Sequence, residues 1–94
     1  MSYICTVIFE TDVANLEKAE RDHPEIIGGI MKAAQGRMLG HTRYSRAGYT
    51  MDVDEYASEE AYREFAAEAG ELIRQYGETG GAIPNDTLWK RHEA

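Results

Sequence analysis

Residues Tyr3 to Phe9 read Tyr-Ile-Cys-Thr-Val-Ile-Phe, a run that is β-branched and aromatic with almost nothing polar. Alternate side chains of a strand point to opposite sides. A strand that is apolar on both sides therefore needs cover on both faces, which places it in the middle of a sheet. With 94 residues the chain has little to cover it with. A chain of this size buries roughly two-thirds of its unfolded surface, so a second copy is a natural source of further cover.

The remaining pattern supplies the partners of that strand. Asp12 to Arg21 is charged and weakly patterned, either a short helix or an irregular lead-in. Asp22-His23-Pro24-Glu25 reads as a helix start, with Asp22 as the cap, Pro24 in the first turn and Glu25 three residues after the cap. Ile26, Ile27, Ile30, Met31 and Ala34 follow at helical spacing, and Gly36 suits the stop. Gly28 and Gly29 inside this helix each cost about 1 kcal/mol relative to Ala, which points to close packing against a neighbour or to a local break. Met38–Arg46 and Tyr49–Tyr56 read as strands joined by a two-residue turn at Ala47-Gly48. Ser58 caps the next helix, with Glu59 and Glu60 in its positive first turn. Tyr62, Phe65, Ala66, Ala69, Leu72, Ile73 and Tyr76 form its apolar stripe, and Gly77 or Gly80-Gly81 ends it. A last strand, at a sheet edge, begins after Pro84.

Strand, helix, strand, strand, helix, strand is the βαββαβ order of a ferredoxin-like α+β fold. We expect one domain over residues 1–94, with both helices on one face of a four-stranded antiparallel sheet and a homodimer through the other face.

Charge and composition remove several functions. Acidic residues number 17 against 10 basic, for a net charge of −7. That is the wrong sign for nucleic acid or an anionic membrane surface. The single cysteine, Cys5, cannot form an intrachain disulfide, and a reducing cytoplasm is the simplest compartment. The first ten residues lack the basic stretch and apolar core of a signal peptide, and no apolar run approaches the ~20 residues that span a bilayer. Walker A, G-x-G-x-x-G and G-x-S-x-G sequences are absent.

The chemistry-bearing residues meet on the hairpin. A two-residue turn at Ala47-Gly48 sets Arg46 opposite Tyr49, Arg43 opposite Asp52 and His41 opposite Asp54. His41, Arg43, Asp52 and Asp54 then share one face, while Thr42, Tyr44, Met51 and Val53 share the other. A carboxylate beside His41 would fix its tautomer and make it an acid–base group, and Arg43 would bind an anionic oxygen. A row of structural cross-strand ion pairs is the other reading of the same residues. Arg43 in this patch would oppose a cation, so no metal is expected at His41, Asp52 and Asp54. The aromatic set Tyr44, Tyr56, Tyr62, Phe65, Tyr76 and Trp89 could line a pocket or simply fill the core. Cys5 sits in an apolar strand, where a thiol is less readily ionised and plays a structural part.

Glu55-Tyr56-Ala57-Ser58-Glu59-Glu60-Ala61 resembles the most recognisable segment of the antibiotic-biosynthesis-monooxygenase-like proteins, members of the dimeric α+β barrel superfamily. Chain length and element order agree over nearly all of the 94 residues. The resemblance implies a homodimer and a small-molecule site between sheet and helices. The typical reaction is a cofactor-independent oxidation of a phenol, quinol or polyketide-like substrate, needing neither flavin nor metal. On that reading His41 is the general base, with Asp54 its partner, and Arg43 the anion holder. Tyr44, Tyr56 and Trp89 become pocket walls. Two positions depart from the group: Phe65 stands where many members carry a histidine, and the first strand has no Asn. A non-catalytic homodimeric ligand-binding or regulatory module on the same scaffold is the alternative.

Overall fold

The computed structural model describes residues 2–93. Its elements run β1 (Tyr3–Phe9), α1 (Val13–Asp22), α2 (Pro24–Ala34), β2 (Met38–Arg46), β3 (Tyr49–Tyr56), α3 (Glu59–Thr79) and β4 (Asn85–Lys90). The four strands form one antiparallel sheet in the order β2-β3-β1-β4. The fold is ferredoxin-like α+β. As the apolar run Tyr3–Phe9 requires, β1 is internal, and β4 lies at an edge.

The first helical connection is two helices. Asp12–Arg21 is mostly helix, and Pro24 is what divides it from the next. Proline has no N–H and disfavours helical geometry in the residue before it, and His23 accordingly adopts φ −133° and ψ 61°. The expected Asp22 cap is therefore displaced. Asp22 ends α1, where it accepts from Lys18 Nζ at 2.6 Å, and the boundary residue of α2 is His23, with no side-chain cap. Helix α2 runs unbroken through both of its glycines. A Cβ on Gly29 would lie 2.7 Å from Leu72 Cδ1 of α3, so close packing accounts for Gly29; Gly28 has nothing within 4 Å. Gly36 takes up φ +75° after the helix, as a glycine stop requires.

The Ala47-Gly48 turn gives the expected hairpin register, with a bulge between Met38 and Gly40. Ser58 Oγ accepts from Ala61 N–H at 3.1 Å and caps α3. That helix runs past Gly77 to Thr79, and Gly77 is a packing position. A Cβ there would lie 2.5 Å from Ala82 O and 2.6 Å from Pro84 Cδ.

The buried core lies between the sheet and the helices and includes Val7, Phe9, Leu16, Tyr56, Phe65 and Ala69. The strand pairings put Ile4, Ile8, Tyr44, Met51, Val53 and Trp89 on the opposite, open face. Tyr44 and Trp89 are each more than half exposed there. Among the described residues, no helix is long and apolar enough to cross a membrane.

Candidate functional site

The side of the sheet that faces the helices does not close completely. Between β1–β3 and the helices lies a cavity of about 510 Å³. Ile27, Ile30 and Met31 of α2, Met38 of β2 and Phe65 of α3 contribute apolar wall, while His41, Arg43, Asp52, Asp54, Glu20 and Tyr76 supply its polar groups.

The hairpin register builds the first part of the polar wall. His41 and Asp54 are cross-strand partners, and His41 Nδ1 lies 2.6 Å from Asp54 Oδ1. An ionised carboxylate only accepts, so with Asp54 ionised this contact calls for the hydrogen on Nδ1 and leaves the lone pair on Nε2. The histidine side chain is 49% exposed and that of the aspartate 9%. Burial pushes the Asp54 carboxyl above its ordinary pKa, against the opposing pull of His41.

Arg43 organises the rest. Its Nε and Nη2 donate to the two oxygens of Asp52 at 2.6 and 3.0 Å, a bidentate pairing. Its Nη1 donates to Glu20 Oε2 at 2.8 Å and its Nη2 to Tyr76 OH at 2.9 Å. Tyr76 OH in turn donates to Glu20. The Asp52 hydrogen bonds, working against burial and aided by Glu20, hold Arg43 charged more firmly than a free arginine. Burial pushes the Glu20 carboxyl upward, but the hydrogen bonds from Tyr76 and Arg43 outweigh it and leave the pKa below its usual value. Burial and the Glu20 hydrogen bond raise the Tyr76 phenol, which stays neutral.

The structure thus brings His41, Arg43 and Asp54 to one cavity, and separates the three expected pocket aromatics. Tyr44 and Trp89 do not line it, because both lie on the open sheet face; Trp89 Nε1 donates to Thr6 Oγ1 there at 2.9 Å. Tyr56 faces the helices but is fully buried, with its ring edge-on to Tyr62 at 5.5 Å. It lines a separate, smaller cavity beside Cys5 and Asp86. Burial, helped by the charges of Asp86 and Asp54, pushes the Cys5 thiol up to about 11, which leaves it an un-ionised core group. Phe65, at the position of the resembling proteins' histidine, does face the main cavity and gives it an apolar side. Of the wider aromatic set, Phe65 and Tyr76 line the main cavity; Glu20 is the site residue that the sequence does not single out. It is four residues after Leu16 on a weakly patterned helix. Among the described residues, no group of three or more His, Cys, Asp or Glu side chains is disposed to hold a metal ion.

No family model and no curated protein matches the sequence. Solved structures do match the fold. The chain is similar to a monooxygenase from the gene ActVA-Orf6 of Streptomyces coelicolor, solved with the ligand nanaomycin D. The TM-score is 0.71 at 18% identity, over 99% of this chain and 89% of that one. It is also similar to Rv0793 from Mycobacterium tuberculosis, with TM-score 0.69 and 16% identity over 100% and 98% of the two chains. A third neighbour is SnoaB, a cofactor-independent oxygenase from Streptomyces nogalater, with TM-score 0.61 and 12% identity over 99% and 93%. The fold is that of the antibiotic-biosynthesis-monooxygenase type.

Proposed function

We propose that the chain is a cofactor-independent oxygenase of an electron-rich phenol, quinol or polyketide-like aromatic, with His41 as general base. The observation that carries this reading is the 2.6 Å His41–Asp54 pair at the wall of an apolar cavity. Asp54 holds Nδ1–H, so the lone pair of Nε2 is available to take a phenolic proton. The resulting phenolate is paired with the imidazolium that the transfer creates on His41, and it is electron-rich enough to reduce dioxygen without flavin or metal. For a phenol with a free ring C–H the balance is phenol plus O2 giving quinone plus water: one oxygen atom enters the ring and the other leaves as water. The substrate supplies all four electrons. Arg43 acts as a positioning residue, since two carboxylates and a phenol already occupy its guanidinium. The fold similarity to a monooxygenase and to a cofactor-independent oxygenase supports the reaction class.

Two further assignments accompany this reading. The open sheet face, with Ile4, Ile8, Tyr44 and Trp89 exposed on it, is the surface we assign to a homodimer. The lone buried thiol of Cys5 suits a reducing cytoplasm. The half-exposure of His41 favours one alternative, a ligand-binding or regulatory module in which the His41–Asp54 pair is structural.

Oxygen uptake and product formation with a panel of phenols, quinols and naphthols test the proposal. We expect turnover by the wild type and its loss in His41→Gln. Binding without oxygen uptake would select the non-catalytic module.

A further inference from the structure

We infer that the cavity takes an aromatic ligand that presents hydrogen-bond donors and carries no anionic group, a substrate class that rests on the proposed function. The polar atoms of the cavity that remain free of protein hydrogen bonds dictate this class.

Arg43 is the fixed cation of the cavity wall, and four of its five N–H donors are engaged: two with Asp52, one with Glu20 and one with Tyr76. Its charge is shared between two carboxylates within the protein. A carboxylate or phosphate entering the cavity would therefore find no unpaired arginine or lysine among the described residues that line it. It would meet Glu20, Asp52 and Asp54 along the same wall, and a desolvated anion beside like charges is disfavoured. Rejection of such ligands comes from repulsion already built into the wall.

The atoms left without a protein hydrogen bond are mainly acceptors. Asp54 accepts His41 through Oδ1, leaving Oδ2, and its side chain is more than nine-tenths buried at the cavity wall. Glu20 receives both of its donors on Oε2, leaving Oε1. His41 uses Nδ1, leaving Nε2. Three free acceptors on residues that line one largely apolar cavity call for O–H or N–H groups on the ligand, and a ligand with those groups blocked would displace water from them without replacing its hydrogen bonds. A diol or amino-substituted ring satisfies this arrangement, whereas a carboxylated ring does not.

Three naphthalene probes test it under anaerobic conditions, which prevent autoxidation: naphthohydroquinone, its dimethyl ether, and its ring-carboxylated derivative. Calorimetric titration should show the diol binding about tenfold or more tighter than either of the others. In Glu20→Gln, which removes one of the counter-charges of Arg43, the carboxylated probe should gain affinity and the dimethyl ether should not. Equal binding of the diol and its ether would overturn the donor requirement, equal or tighter binding of the carboxylated probe would overturn the charge argument, and absence of binding by all three would overturn both. Oxygen uptake is then measured separately on admitting air. Selective binding of the diol without oxygen uptake would refute the oxygenase reading and leave this inference standing. Turnover of the carboxylated probe would do the reverse.

Discussion

His41 and Asp54 face each other across the β2–β3 pair with Nδ1 and Oδ1 2.6 Å apart, the imidazole half in solvent and the carboxylate buried. Asp54→Asn keeps the shape and removes the charge, and the amide N–H₂ can then donate to Nδ1 and favour the wrong tautomer. If the pair is catalytic, kcat/KM falls on the order of 10²–10⁴-fold, while stability at neutral pH changes by no more than about 1 kcal/mol because His41 is exposed. Steady-state kinetics and denaturant melts of the same preparation check both parts. Unchanged turnover would make the pair structural.

The pH dependence of that variant has a definite sign. The folded pKa of Asp54 is raised, mainly by burial. The contribution of Asp54 is therefore fully present below its unfolded-state pKa and lost as pH rises through the folded one. Wild type should gain stability relative to Asp54→Asn as the pH is lowered through the carboxylate range. Denaturation midpoints across a pH series measure this gap; one that is flat or that narrows in acid would contradict the burial argument.

Glu20 should behave in the opposite way. Its folded pKa is lowered, because hydrogen bonds from Tyr76 and Arg43 overcome the effect of burial. Its contribution is present above the unfolded-state pKa and lost as pH falls through the folded one. Glu20→Gln should cost under about 1 kcal/mol at neutral pH, given the partial exposure of the pair, and the cost should fade in acid. The same pH series in the two variants should give gaps of opposite slope.

The hairpin was the most legible part of the site. Its two-residue turn leaves one register, and that register pairs His41 with Asp54 and Arg43 with Asp52. The same parity sets Tyr44 on the other face from His41, so an aromatic wall that included Tyr44 was at odds with the strand geometry. Trp89 could not be assigned a side from β4 alone. That edge strand has no clear alternation, and its face follows from the Ile4↔Trp89 pairing with β1. Glu20 was hidden because what holds it is a network from β2 and α3, distant in sequence. Pro24 signalled a helix start, but the local pattern did not show that the preceding helix would run up to it.

Packing around α3 separates two glycines that look alike in the sequence. Gly70→Ala meets nothing within 4 Å and should stabilise by about 0.5–1 kcal/mol through helix propensity. Gly77→Ala drives a methyl into Ala82 O and Pro84 Cδ and should destabilise by about 1–3 kcal/mol or more. Chemical denaturation of the two variants decides. Equal effects would mean that α3 does not pack against the Ala82–Pro84 segment as described.

If the open sheet face joins two copies, the wild type should sediment at twice its 10.6 kDa chain mass. Tyr44→Glu, at an exposed position on that face, should shift the equilibrium to monomer while the circular dichroism spectrum stays unchanged. A wild type that is monomeric at micromolar concentration would remove the dimer.

In the proposed function Asp54 holds the hydrogen of His41 on Nδ1 and leaves Nε2 as the base at the cavity wall. Long-range ¹H–¹⁵N NMR of the His41 ring, recorded where the imidazole is neutral, reads this directly. We expect the Nδ1–H tautomer in the wild type, its loss in Asp54→Asn, and a shift of Nε2 when naphthohydroquinone is added anaerobically. An Nε2–H tautomer in the wild type, or an Nε2 signal unmoved by a ligand that binds, would contradict this assignment.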